Sequence, residues 1–68
     1  MALRVHVNGE ERELPEGMTL EALISHLALA PDRLAIERNR DVVRRADWPQ
    51  TVLREDDRVE IIHFVGGG

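Results

Sequence analysis

Sixty-eight residues with nine cationic and thirteen acidic side chains, a net charge of −4 and no cysteine describe one small domain that must build its core without staples. The missing cysteines exclude disulfides, thiolate metal sites and cysteine nucleophiles. The negative balance argues against nonspecific nucleic-acid binding, which runs on cationic neutralisation of phosphates.

Two aromatic residues, Trp48 and Phe64, are too few for a base-stacking platform. No apolar run reaches membrane-spanning length, so neither nucleic acid nor membrane is an expected partner. The start, Met1-Ala2-Leu3-Arg4-Val5-His6, alternates instead of forming the apolar block of a signal peptide, and a cytoplasmic location is expected.

Leu3, Val5 and Val7 alternate with Arg4, His6 and Asn8, the period of a strand with one buried face. Asn8-Gly9 predicts a two-residue hairpin turn, since both residues tolerate positive φ. A more polar second strand follows over Glu10 to Leu14, with Leu14 facing the core, and Pro15-Glu16-Gly17 breaks it. Thr19 is the N-cap of an amphipathic helix, with Glu21 in the first turn and Met18 and Leu23 placed as a hydrophobic staple. Leu20, Leu23, Ile24 and Leu27 form its apolar stripe, and the pattern predicts a helix over 19–29, stopped by Pro31. Leu34 to Arg38 alternates as a strand and turns at Asn39-Arg40-Asp41 into the short apolar pair Val42-Val43. Trp48-Pro49 interrupts regular structure, and the segment to Leu53 is expected to be irregular or a single helical turn, with Trp48 in or over the core. Glu55-Asp56-Asp57 reads as a turn, and 58–65 as the last and most apolar strand. The order is ββαβββ, an α+β arrangement with one helix on one face of a mixed sheet.

Alternation in the last strand assigns faces. With Glu60 in solvent, Val59 and Ile61 enter the core, while Ile62 and Phe64 share the open face with Glu60. Arg4 and His6 join that face if the first strand pairs beside the last. Ile62 and Phe64, with His6, are therefore the expected partner-docking residues. The final strand pairs best inside the sheet, so a free monomer is expected.

After Val65 come Gly66-Gly67-Gly68. Without Cβ atoms such an arm passes through gaps too narrow for side chains, and three residues reach roughly 10 Å. The expected division is a body over 1–65 and a flexible tail over 66–68, with the Gly68 carboxylate as the working group. Catalytic machinery is not expected. His6, His26 and His63 are scattered, no spacing fits a metal site, and Ser25 has no base beside it. All nine cationic side chains are arginine. Were the tail activated as an acyl donor, an internal lysine would compete as a nucleophile, and here the α-amino group is the one primary amine. A carrier needs no catalytic side chains, because a partner enzyme can turn its carboxylate into an acyl adenylate that a sulfur nucleophile then displaces.

Val7-Asn8-Gly9-Glu10, Gly17-Met18-Thr19-Leu20, Ala35-Ile36-Glu37-Arg38-Asn39 with Val42-Val43, Trp48, Leu53, Asp57-Arg58-Val59-Glu60-Ile61-Ile62 and Gly67-Gly68 together resemble the ThiS family. These are thiamine-biosynthesis sulfur carriers of the ubiquitin-like β-grasp fold. Arg44 and Asp56 stand where family members often carry proline and glycine, changes confined to loops. The resemblance implies that Gly68, supported by Gly67, is adenylated by an E1-like enzyme using ATP and magnesium, and Gly66 is a spacer by position. The chain itself would bind no cofactor or metal. Sulfur from a donor such as a cysteine desulfurase would then make a thiocarboxylate, delivered to thiazole synthase. Sulfur delivery to molybdopterin or to tRNA, ubiquitin-like conjugation, and an inert-tailed interaction module are the alternatives.

Overall fold

Strands β1 (Ala2–Val7) and β2 (Glu10–Pro15) form the first hairpin of a computed structural model that describes residues 1–64. At its turn Asn8 and Gly9 take positive φ values of 50° and 82°, the conformations a two-residue hairpin turn requires. The Asn8 side chain reaches further. Its amide oxygen accepts from the Ile61 backbone N–H at 2.7 Å, and its amide nitrogen donates to the Ile61 carbonyl at 3.3 Å. Leu3, Val5 and Val7 face the core, and Leu14 joins them because it lies opposite Leu3 in the ladder. Glu10 to Glu13 are charged and exposed and Pro15 closes the strand, a composition that protects an edge strand from pairing with other chains.

The helix, α1 (Leu20–His26), is shorter than its apolar stripe predicts. Thr19 caps the start as expected, its hydroxyl oxygen accepting from the Ala22 N–H at 3.1 Å. The end is set by Ala28 before Pro31 is reached. Ala28 takes φ 57°, its N–H donates to the Ser25 carbonyl, and the Leu29 N–H donates to the Ile24 carbonyl. These two bonds make a Schellman cap, normally built on glycine because a Cβ is strained there. Ala28→Gly is therefore expected to stabilise the domain by about 1 kcal/mol, a rise in Tm of about 4–8 °C for a chain of this size. An unchanged or lowered Tm in a thermal melt would mean that Ala28 carries no strain.

A short 3-10 turn, Pro31–Arg33, leads into β3 (Leu34–Arg38), and β4 (Asp41–Val43) pairs back on it. A second 3-10 turn, Arg45–Gln50, is the single helical turn expected around Trp48. Trp48 is buried, and its indole N–H donates to the Val43 carbonyl at 2.9 Å. This satisfies the one polar group that such burial would otherwise strand. The chain then crosses the start of α1, where the Leu20 N–H donates to Thr51 and the Leu53 N–H to Met18. It finally enters β5 (Arg58–His63).

The five strands lie in the order β2-β1-β5-β3-β4, with β5 parallel to β1 and antiparallel to β3. The mixed sheet with one helix on one face is the α+β, ββαβββ arrangement the sequence predicts. Its core runs from Leu3, Val5 and Val7 through Leu20, Leu23 and Ile24 to Ile36, Leu53, Val59 and Ile61. Each such side chain contributes roughly 1.5–3 kcal/mol by leaving water. Among the described residues no helix is long and apolar enough to cross a membrane. The last strand closes at His63. Val65 and the expected tail, Gly66, Gly67 and Gly68, lie outside the described residues.

Candidate functional site

Because β5 is central, the described residues end in the middle of one end of the sheet. The helix covers one face of the sheet, and the other is open. Cross-strand pairing assigns that open face residue by residue. Ile62 lies opposite Ala35, Glu60 opposite Glu37, Glu37 opposite Val42, Arg4 opposite Glu13, and His6 opposite both Glu11 and Arg58. Ile62 is 43% exposed and Phe64 60%, values far above those of the core-facing Val59 and Ile61. Phe64 lies one residue beyond β5, yet its N–H donates to the Arg33 carbonyl at 2.9 Å, so the pairing continues one step and keeps the alternation.

Ile62, Phe64 and Ala35 thus form an apolar strip at the end of the sheet where the chain leaves, with Val42, 69% exposed, on the outer strand. Glu37 and Glu60 border it. His6 shares the face but not the strip. It sits level with Arg58, four residues from Ile62, or roughly 13 Å along the strand. The structure therefore brings two of the three expected docking residues together and sets the third apart. His6 lies instead in a charged corner, its Nε2 3.8 Å from Asp56 Oδ1. Next to it, the Arg4 backbone N–H donates to Glu55 Oε1 at 2.8 Å, and the Arg4 guanidinium lies 3.4 Å from Glu55 Oε2. The backbone donor first, and the guanidinium with it, hold the Glu55 carboxyl below its ordinary 4.5.

Sequence reasoning missed Asp57, which it placed in a turn. Asp57 is the one charged residue buried in the described structure, at 5% exposure. It accepts from Arg38 Nε at 2.9 Å, from the Asn39 amide at 3.0 Å and from the Arg54 N–H at 2.8 Å. Its own backbone carbonyl accepts from the His6 N–H. An aspartate just before the most apolar strand, with Asn39 at a predicted turn, was the available signal, but sequence spacing could not reveal that the two meet. Ala35 was recoverable from the alternation of its strand, and Val42 only from the register of β4.

Among the described residues no group of three histidine, cysteine, aspartate or glutamate side chains could hold a metal ion. What the open face can do is bind. An exposed aliphatic and an exposed aromatic side chain beside the chain's exit form a patch that a partner could desolvate while it handles the terminal residues. Ile62→Glu is expected to cost the fold at most about 1 kcal/mol and to weaken capture by such a partner more than tenfold. A thermal melt and a binding titration separate the two effects, and a collapsed fold would assign Ile62 to the core.

Comparison with known proteins gives concordant results. Residues 5–68 match the ThiS family. The chain is 46% identical over 66 residues, 97% of its length, to a thiazole synthase from Magnetococcus marinus, of which it spans 20%. It therefore spans about a fifth of the length of that relative, and the same holds for the thiazole synthase of Paramagnetospirillum magneticum at 36% identity. It is 32% identical over 50 residues to the sulfur carrier protein ThiS of Bacillus subtilis, covering 74% of this chain and 76% of that one. The crystal structure of the thiamine biosynthesis protein ThiS from Geobacter metallireducens superposes with a TM-score of 0.83 at 29% identity, covering 97% of this chain and all of that one.

Proposed function

The chain belongs to the ThiS family, and from that premise we propose that it is a sulfur carrier of thiamine biosynthesis whose reacting group is the Gly68 carboxylate. The observation that carries the reading is the reach of the family match, which runs from the first strand through Gly67 and Gly68. A central β5 with an apolar strip at its end supports it, because a carrier needs a recognisable body next to a thin reactive arm.

The chemistry needs no catalytic residue of this chain. A carboxylate oxygen of Gly68 attacks the α-phosphate of ATP in a partner enzyme, pyrophosphate leaves, and an acyl adenylate remains. Magnesium and the partner's own groups stabilise the charge on the phosphates. A sulfur nucleophile from a donor such as a cysteine desulfurase then attacks the acyl carbon. The C–O bond to AMP breaks and AMP leaves; where the donor presents its sulfur as a persulfide, the acyl disulfide so formed is cleaved at its S–S bond by a thiol reductant, which is oxidised to a disulfide, and a thiocarboxylate is left on the tail. The body, residues 1–65, supplies orientation, and the tail, 66–68, supplies reach. Ile62 and Phe64 dock the adenylating enzyme, with His6 and its charged corner at the far side of the same face.

Thiazole synthase is the proposed acceptor, supported by relatives of that name in which a segment similar to this chain forms part of the polypeptide. The test is the intact mass of the untagged protein after incubation with its adenylating enzyme, magnesium-ATP and a sulfur donor. Replacement of one carboxyl oxygen by sulfur is the expected product. An unchanged mass, with the enzyme active on another carrier, would leave an interaction module with an inert tail.

A further inference from the structure

The chain carries its positive charge entirely as guanidinium groups, and the topology places two of them beside the point where the last strand leaves the sheet. Phe64 donates its N–H to the Arg33 carbonyl, and the Arg45 guanidinium donates to the Pro31 carbonyl of the same short turn. Arg45 also sits over the Trp48 ring, 5.8 Å from its centroid, which fixes its position. Arg33 and Arg45 are both solvent-exposed.

The remaining amine, at Met1, lies at the other pole. Strands β1 and β5 are parallel, with Val7 level with Val59. From Met1 to that level is six residues, and from Val59 to Phe64 five more, so the two ends are separated by roughly 36 Å of strand. Four residues beyond Phe64 span at most about 14 Å.

From this arrangement we infer that the domain is inert toward its own activated carboxyl: the cationic side chains beside the end of the last strand are the non-nucleophilic kind, and an amine at Met1 would be out of reach. The inference rests on the reading that Gly68 is activated. An arginine side chain stays protonated at any physiological pH and has no free lone pair to attack an acyl carbon. A lysine at the same place would be a tethered nucleophile. With a linker this short, its effective concentration at the acyl carbon reaches the millimolar range. Its Nζ would attack the Gly68 acyl carbon, the bond to the leaving group (AMP, or a thiol in a thioester) would break, and the ammonium proton would pass to water. The product would be an internal amide, and the carrier would be spent without delivering sulfur. Arginine at positions 33 and 45 leaves external nucleophiles as the route open to the activated tail.

A protein with a chemically installed thioester at Gly68, prepared by intein cleavage, tests this without any partner enzyme. Its outcome is therefore independent of whether adenylation occurs in the cell. Incubated at mildly alkaline pH, the wild-type thioester should lose its thiol by hydrolysis alone and yield the free acid. Arg33→Lys and Arg45→Lys, which keep the charge at exposed positions, should instead yield a product one water lighter than the acid and resistant to hydroxylamine. Arg54→Lys, beside Met1 and Ala2 at the opposite pole, should behave as wild type. The inference is overturned if the wild-type thioester closes on itself. It is overturned equally if neither near-exit lysine forms an internal amide, or if Arg54→Lys forms one as readily as they do.

Discussion

A chain lacking Gly67 and Gly68 is expected to melt as the full-length protein does and to accept no sulfur at all. The core of the described residues is built without them. Among the described residues the last side chain fully in the core is Ile61, and Phe64 is already 60% exposed. Removing two glycines beyond them should change stability by no more than about 0.5 kcal/mol. The proposed chemistry needs both. Truncation moves the terminal carboxylate back by about 7 Å, while misplacing a reacting atom by about 1 Å already costs on the order of a hundredfold. Intact mass after the adenylation and sulfur-transfer reaction should show unmodified protein only, and a thermal melt should overlay the full-length curve. Retained affinity for the adenylating enzyme, set against its loss in Ile62→Glu, would separate docking from chemistry. A truncated chain that still gains sulfur would remove Gly68 from the mechanism, and one that no longer folds would place the tail in the structure's support.

The fold was legible where one residue's neighbours in sequence are also its neighbours in space. Alternation in 2–7, the Asn8-Gly9 turn, the Thr19 cap and the Leu20–Leu23–Ile24 stripe are all local signals, and each recurs in the structure. The exposure of Ile62 and Phe64 followed from counting by twos from Glu60, which works because no bulge resets the register. The end of α1 was misjudged for a physical reason. A Schellman cap on Ala28 carries no compositional mark, whereas Pro31 does. The separation of His6 from Ile62 was invisible because it depends on how far β1 and β5 are offset, a quantity no strand carries in its own sequence. The same is true of Asp57, whose side-chain partners are 18 and 19 residues away.

Asp57→Asn should be the most destabilising single-atom-scale change in the described structure, with an effect that fades at acid pH. Both oxygens of the Asp57 carboxylate are engaged: Oδ2 by Arg38 Nε and the Arg54 N–H, and Oδ1 by the Asn39 amide. Asn39 in turn accepts from the Arg58 N–H and donates its own N–H to the Arg58 carbonyl, so one carboxylate ties the β3–β4 turn to the entry of β5. An asparagine keeps the shape but offers one acceptor where two are used, and it sets an N–H against another donor. Breaking one side of such a buried, charge-assisted cluster costs about 2–3 kcal/mol, or roughly 10–20 °C in Tm for a domain of this size. Arg38 retains some exposure at 27%, and solvent there keeps the figure at the lower end of what a fully buried pair would lose.

The pH dependence is set by the sign of the shift. Burial pushes the Asp57 carboxyl up, but the Arg38 guanidinium, the Arg54 N–H and the Asn39 amide together outweigh it and hold the group below its ordinary 3.8. A carboxyl depressed on folding contributes its full stability above the unfolded value and loses it as pH falls through the folded one. Between pH 7 and pH 5 the gap between wild type and Asp57→Asn should therefore be constant. From about pH 4 downward it should narrow, because protonated Asp57 resembles the amide that replaces it. Taking the difference between the two proteins cancels the acid response of the other carboxylates, Glu55 among them. Urea denaturation of both at a series of pH values measures it directly. A gap below about 0.5 kcal/mol at neutral pH would show that the cluster is ordered without being stabilising. A gap that persists unchanged into acid would show that the amide N–H set against a donor, and not the loss of charge, is what destabilises the variant.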